Sequence, residues 1–152
     1  MTDETTYYNA FSSGQLDMVT VTTKDYVDMF QGQDKNYAPY LSANLAFNFF
    51  NTKDKLFSNV NIRKAFTLAV DREEFNEVCY DGMRVPTYGW VVPTMTVGET
   101  NYRETAGDNI KVMQEELAAE GKTPKDLLLQ GMQELGLGDD PSTLDVTFSF
   151  GS

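Results

Sequence analysis

The sequence predicts a mixed α/β fold in which a β-sheet is flanked by helices. Two stretches, residues 41–49 and 143–150, alternate apolar and polar residues with a period of two, which is typical of half-buried strands. Elsewhere, apolar residues recur at intervals of three and four between capping residues and glycines, which is typical of amphipathic helices. With 152 residues, of which 41% are hydrophobic, the chain has enough apolar side chains for the core of one ordinary domain.

The amino-terminal part of the chain is predicted to contain two helices separated by a short strand. Residues 4–13 carry aromatic side chains at helical spacing, and Gly14 is a residue type that commonly ends a helix. Residues 15–21 are rich in apolar and β-branched residues, which favours a strand. Thr23 is expected to cap the next helix. The inner face of that helix would carry Tyr26, Val27 and Phe30.

Residues 41–49 show the clearest strand pattern in the chain. All the odd positions are apolar, and polar residues stand at Ser42, Asn44 and Asn48. We therefore expect one face of this strand to be buried, with Phe47 and Phe49 in the core. A register slip of one residue would exchange the two faces.

Residues 59–75 read as two helices that meet at a corner. An apolar stripe marks the first helix and comprises Ile62, Ala65, Phe66, Ala69 and Val70. Asp71 stands three residues before Glu74, which is the spacing of a capping box, so a second helix is expected to start here. This helix should end at Gly82. Its inner face would carry Phe75, Val78 and Cys79.

The second half of the chain is predicted to begin with a loop and to continue with helices. Two prolines and a glycine within residues 84–95 argue against regular structure there, and the polar residues 99–109 are expected to be exposed. One helix is predicted from Asn109 to Gly121, and another from Thr123 to Gly136. The strand 143–150 follows. The residues expected in the core are Phe47, Phe49, Ile62, Phe66, Val70, Phe75 and Phe148.

Charge and residue content exclude several functions. The 12 basic and 23 acidic residues give a net charge of −11, which disfavours nucleic acid and anionic membranes as partners. The chain has no histidine, so the commonest general base and any histidine-based metal site are missing. Glu73 and Glu74 would point about 100° apart on a helix, which does not suit a catalytic carboxylate pair. Cys79 has no imidazole to activate it. We therefore expect neither an enzyme nor a bound cofactor or metal.

The sequence resembles the family 5 extracellular solute-binding proteins, which are the oligopeptide and dipeptide receptors of ABC importers. The resemblance rests on Asn51 and Thr52 after an aromatic segment, on "NVNIRKAFTLAVDREEF" from residue 59, on Gly82, and on "VPTYGWVVP" from residue 85. Upstream, "AFSSGQLDMV" is similar to the helix and Ser-Gly segment that precedes this region in the family. The resemblance covers nearly the whole chain.

The resemblance assigns family-motif positions to residues of this chain. Asn51 would end a strand, and Pro93 would close the loop that follows the corner. The motif helix and its corner would comprise Arg63, Ala65, Ala69, Asp71 and Arg72. We interpret these motif residues as structural, because they stand where helix caps and packing are needed. Tyr88 and Trp90 are the candidates for ligand contact, since aromatic residues beside glycine in loops often line binding sites.

The resemblance also implies a function. It implies a bilobal receptor of the periplasmic-binding-protein type that closes around an extended peptide and delivers it to the ABC permease in the membrane. Such a receptor would be extracellular, either lipid-anchored at the cell surface or periplasmic. Residues 1–152 would be a fragment, about the first half of the carboxy-terminal lobe. The alternative from the residues alone is a stand-alone acidic module that recruits a basic partner.

Overall fold

The computed structural model describes residues 3–149, whose regular structure is chiefly helical and which form two compact units. The first unit takes in the residues up to Ser42 together with Arg72–Pro86, and the second takes in Ala43–Asp71 together with the residues from Thr87 onward. The regular sheet of the described residues is one short antiparallel pair. The mixed composition of helix and strand that the sequence predicts is therefore present, with far less strand than expected.

The helices fall largely where capping and periodicity place them. In chain order they are α1 (Glu4–Ser12), α2 (Lys24–Gln31), α3 (Val60–Leu68), α4 (Arg72–Tyr80), α5 (Tyr102–Ala106), α6 (Asn109–Ala119) and α7 (Pro124–Glu134). The paired strands are β1 (Thr96–Val97) and β2 (Thr100–Asn101), and a short 3-10 helix covers Pro141–Thr143.

An aromatic cluster joins α1 and α2 in the first unit. The ring centroids of Tyr8 and Tyr26 lie 4.0 Å apart, and those of Phe11 and Phe30 lie 5.0 Å apart in an edge-to-face arrangement. Tyr8 and Phe30 are buried, as is Val27 beside them on α2. The predicted inner face of α2 is confirmed, and so is the end of α1, where Gly14 adopts a positive φ of 75°. Thr23 stands directly before α2 as predicted, but its side chain makes no capping hydrogen bond, so the predicted side-chain cap is wrong.

The predicted strands are wrong wherever the structure describes them. Residues 15–21, 41–49 and 143–149 have no regular strand structure, and residue 150 lies outside the described residues. A strand is stable only when a neighbour satisfies its backbone N–H and C=O groups, and among the described residues these segments have no strand beside them. An alternating pattern indicates which face would be buried but does not supply the partner.

The core prediction is correspondingly wrong at most of its positions. Ile62 is fully buried, and Phe66 is half-buried against Phe57. Phe49 is 85% exposed, and its ring packs edge-to-face on that of Phe47, with the ring centroids 4.6 Å apart. The other exposed members of the predicted core are Phe47, Val70, Phe75 and Phe148.

The core of the second unit lies among α3, α6 and α7. Its buried members are Ala65 and Leu68 of α3, Ile110 and Leu117 of α6, and Leu127 of α7. Short residues allow α3 and α7 to approach closely. A β-carbon on Gly131 would lie 2.5 Å from Cγ1 of Ile62, which leaves no room for a side chain.

The predicted break between α3 and α4 is present. The α3 helix begins after Asn59, whose side chain accepts hydrogen bonds from the backbone N–H groups of Asn61 and Ile62, and it ends at Leu68. The α4 helix begins at Arg72, so the prediction of two helices is confirmed. Asp71 stands directly before the first residue of α4, and its role as the cap remains a prediction.

The predicted inner face of α4 is wrong, although the predicted end of the helix is right. Phe75, Val78 and Cys79 are all exposed, and the buried residue of this helix is the polar Asn76. The amide oxygen of Asn76 accepts a hydrogen bond from the backbone N–H of Arg84 at 3.0 Å. This bond ties the chain beyond Gly82 back to the helix and explains why an amide occupies the inner face.

The α6 and α7 helices match their predicted starts and ends. Gly121 and Gly136 follow the two helices with positive φ angles of 68° and 67°. Thr123 and Asp126 form a reciprocal capping box at the start of α7. The polar residues predicted as an exposed loop before α6 are more ordered than expected, because they contain β2 and α5.

Candidate functional site

The candidate site is the aromatic loop, defined here as residues 87–95. Tyr88 is half-buried and packs against the core of the second unit. Its carbonyl oxygen accepts a hydrogen bond from the backbone N–H of Ile110 at 2.9 Å, and the ammonium group of Lys111 lies 4.8 Å from the centre of its ring. Tyr88 therefore anchors the loop to α6.

Trp90 has a different environment from Tyr88. Its side chain is 57% exposed, and it is the only tryptophan in the sequence. Val92, two residues further on, is buried and fixes the other side of the loop. Trp90 is thus a large aromatic surface carried on a short segment that is held on both sides, which suits contact with a ligand.

Gly89 separates the two aromatic residues because no other residue type fits there. A β-carbon at this position would overlap Nη1 of Arg103 and would lie 2.6 Å from the carbonyl oxygen of Gly107. The guanidinium group of Arg103 therefore lies directly against the backbone of the aromatic loop. It donates hydrogen bonds to the Gly107 carbonyl and to the Asp108 carboxylate.

Two further hydrogen bonds hold the end of the aromatic loop. The side-chain amide of Asn101 donates to the carbonyl of Pro93 at 3.3 Å, and the backbone N–H of Tyr102 donates to the carbonyl of Met95 at 3.0 Å. Sequence reasoning missed this segment because it is polar and resembles an exposed loop. The Asn101 side chain also caps α5 by accepting a hydrogen bond from the N–H of Arg103. Because Asn is a favoured capping residue, Asn101 was the sequence feature that could have predicted the start of this helix.

Among the family-motif residues, Arg63 bonds to the backbone before α3. Its Nη1 atom donates to the carbonyls of Phe57 and Ser58, at 2.7 and 2.9 Å, so it closes the turn that leads into α3. Ala65 is buried in the core of the second unit. Ala69 follows the last residue of α3, and its N–H donates to the carbonyl of Ala65 at 3.0 Å.

The remaining motif residues lie at turns and helix starts. The Asn51 side chain accepts a hydrogen bond from the N–H of Lys53 at 3.2 Å, so Asn51 begins a turn. The expectation that it ends a strand is wrong, because the residues before it are not in a strand. Asp71 and Arg72 stand at the start of α4. The structure thus brings Tyr88 and Trp90 together in one loop and distributes the motif residues among caps and turns.

A polar cluster at the end of α7 was not foreseen from the sequence. The Glu134 carboxylate accepts hydrogen bonds from the side-chain amides of Asn59 at 2.7 Å, Asn61 at 3.0 Å and Gln130 at 2.9 Å. These bonds, led by that from Asn59, hold the pKa of the Glu134 carboxyl below its usual value. The sequence could have predicted only the bond between Gln130 and Glu134, because residues four apart on a helix are neighbours.

A groove also lies in each unit. The groove of the second unit, of about 210 Å³, has an apolar floor that includes Leu68, Leu117 and Leu127, with Lys64 and Glu116 among its charged residues. The groove of the first unit, of about 400 Å³, is lined by α2 and by the residues that follow α4. Neither groove includes the aromatic loop.

The aromatic loop offers a surface for binding. No group of three or more Cys, Asp or Glu side chains among residues 3–149 is placed to hold a metal ion. Within the same range, every helix is too short or too polar to cross a membrane. An exposed aromatic side chain on an anchored loop supplies apolar contact area, and the neighbouring backbone supplies hydrogen-bonding groups.

Comparison with known proteins gives a consistent result. Residues 1–147 match the family described as bacterial extracellular solute-binding proteins, family 5 middle. The dipeptide-binding protein DppE of Bacillus subtilis (strain 168) is 35% identical over 150 residues, which are 98% of this chain and 26% of that protein. The oligopeptide-binding protein OppA of the same organism is 33% identical over 101 residues, which are 66% of this chain and 17% of that protein. No solved structure matches the chain significantly.

Proposed function

Because the chain belongs to the family 5 bacterial extracellular solute-binding proteins, we propose that it is part of a peptide-binding component of an ABC transporter. In this role the protein captures oligopeptides outside the cell and delivers them to the membrane permease for import. The match over residues 1–147 carries the proposal, and the names of the two relatives give the ligand class. A peptide receptor needs neither a metal nor a cofactor.

We further propose that residues 1–152 are about the first half of the carboxy-terminal lobe of a bilobal receptor. The chain spans only 26% and 17% of the lengths of the two relatives, which supports a larger protein. The exposed, alternating residues that include Phe47 and Phe49 also support it, since burying them requires a partner strand from elsewhere. The receptor would act outside the cell, lipid-anchored or periplasmic.

Within the proposed receptor, Trp90 is the residue that we expect to contact peptide. An exposed indole can stack on peptide groups and cover apolar side chains, while its N–H can donate one hydrogen bond. Because Gly89 and Val92 hold the loop, little side-chain ordering remains to be done on binding. Tyr88 contributes by anchoring the loop.

The test is calorimetric titration of the full-length protein with a mixed library of short peptides. Replacing Trp90 with Ala should weaken binding about five- to tenfold, which is the effect of losing one well-packed aromatic contact. Val97→Ala is the matched control, because Val97 is also apolar and exposed in the same unit, and this variant should bind normally. Unchanged affinity of the Trp90 variant would exclude its ligand role. Binding of basic proteins in place of peptides would favour the acidic-module alternative.

A further inference from the structure

The residues that follow the aromatic loop hold it at three points. We call residues 101–111 the clamp segment. Its hydrogen bonds reach Pro93 and Met95 at one end of the loop and Tyr88 at the other, through Asn101, Tyr102 and Ile110 respectively. The clamp segment thus contacts the loop both before and after Trp90 in the chain, and few residues lie between these contacts. Between them, Arg103 of the clamp segment contacts Gly89.

Arg103 is placed to fix the backbone directly before Trp90. Its side chain is 17% exposed, and its guanidinium group lies against Gly89, where even a β-carbon would be too large. Both of the hydrogen-bond acceptors described for it, the Gly107 carbonyl and the Asp108 carboxylate, belong to the clamp segment. The planar fork of a guanidinium group can bond both acceptors at once, which a lysine ammonium cannot reproduce in that geometry.

A second charged residue completes this arrangement. The Asp108 carboxylate also pairs with Lys111 at 3.6 Å, and the Lys111 ammonium lies over the Tyr88 ring. The charges therefore run in a continuous chain from the guanidinium at Gly89 to the ring of Tyr88. The network contains two cations, Arg103 and Lys111, and one anion, Asp108, in a chain whose net charge is −11.

We propose that Arg103 is a positioning residue for Trp90. By filling the space beside Gly89 while its own hydrogen bonds hold it within the clamp segment, Arg103 keeps the indole in one orientation before any ligand arrives. The structural part of this inference stands by itself, and its consequence for peptide affinity rests on the function proposed above. It predicts that two different perturbations of the same contact, Arg103→Lys and Gly89→Ala, will have the same effect on Trp90.

Tryptophan fluorescence of the 152-residue chain tests the structural part, since Trp90 is its only tryptophan. In both variants the steady-state anisotropy of Trp90 should fall and its quenching by acrylamide should rise, because the loop gains freedom. The control is Arg63→Lys, which removes a similar guanidinium contact to backbone carbonyls in the same unit. Arg63→Lys should lower the unfolding temperature and leave the fluorescence of the folded chain unchanged.

The outcomes separate this inference from the proposed function. Wild-type anisotropy and quenching in folded Arg103→Lys would overturn the positioning role, whatever happens to stability. If Arg63→Lys changed the fluorescence of Trp90 as much as Arg103→Lys does, the positioning role would also be overturned. A general loss of rigidity would then explain both changes. In the full-length protein, Arg103→Lys should weaken peptide binding up to about tenfold, the cost of ordering the loop again. If Trp90→Ala bound peptide normally, the ligand role of Trp90 would be excluded. Altered fluorescence in Arg103→Lys would still support the positioning role of Arg103.

Discussion

A single carboxylate at the end of α7 joins that helix to the start of α3. Glu134 accepts hydrogen bonds from three side-chain amides, and one of them belongs to Asn59, the residue that also caps α3. The negative charge is what makes Glu134 a good acceptor for all three donors. Protonation would replace an acceptor with a donor and weaken the cluster.

The thermal stability of the chain should therefore depend on the ionisation of Glu134. The pKa of this carboxyl is lowered in the folded chain from its ordinary value of 4.5. Its stabilising contribution is fully present above that ordinary value and is lost as the pH falls through the lowered, folded value. We expect the unfolding temperature of Glu134→Gln to fall less between pH 6 and about pH 3 than that of the wild type. Circular dichroism melting curves measure this difference.

The matched control for this measurement is Glu115→Gln. Glu115 lies on an exposed part of α6, so its replacement should leave the pH dependence of the wild type in place. An identical pH dependence in wild type and Glu134→Gln would show that the three amide bonds do not distinguish the charged from the neutral carboxyl.

The candidate site could be predicted from the sequence only in part. Loop aromatics beside a glycine singled out Tyr88 and Trp90, and both lie in one ordered loop. Which of them is anchored and which is exposed depends on Arg103 and Ile110, more than ten residues away along the chain. Local sequence carries no information about such contacts, so the difference between the two aromatics was not predictable.

At the scale of elements, helices were predictable and strands were not. The signals for a helix are local, as the capping box at Thr123 and the glycine after α6 show. A strand depends on a neighbour that can be far away in the chain, and residues 41–49 have none among the described residues. The α4 helix shows that apolar periodicity does not always identify the buried face of a helix. Its apolar face is exposed, and its buried residue is Asn76.

The contact between α3 and α7 gives a prediction at this scale. In an ordinary helix, Gly→Ala stabilises by about 1 kcal/mol, because glycine has the larger conformational freedom to lose. At Gly131 the new methyl group would lie 2.5 Å from Ile62, which is fully buried and has no room to move. We expect Gly131→Ala to destabilise by about 1–3 kcal/mol, the usual cost of overpacking. Urea denaturation measures the change.

The control for this prediction is Gln133→Ala on the exposed side of the same helix. That substitution adds no atoms to the interface and should change the free energy of unfolding by no more than about 0.5 kcal/mol. If Gly131→Ala proved more stable than the wild type, the two helices would have to be further apart than the structure places them.

The whole chain belongs to a family whose members are much longer, since residues 1–147 match family 5 of the bacterial extracellular solute-binding proteins and the chain aligns with a minor part of each relative. The two relatives are both named for peptide binding, and this chain matches at most 26% of either. A small peptide gains affinity when it is enclosed on most sides, because it then buries its surface and meets enough polar groups to offset its lost freedom. A single anchored loop with one exposed indole offers a small part of such an enclosure.

We propose that this chain contributes to a peptide site that it does not form alone. The test is calorimetric titration of the full-length protein and of the 152-residue chain, each with the same mixed library of short peptides. We expect saturable heat from the full-length protein and none from the 152-residue chain, since an aromatic contact worth about 1 kcal/mol falls far short of the ~8 kcal/mol of a micromolar complex. Tight binding by the 152-residue chain, or no binding by the full-length protein, would contradict the account.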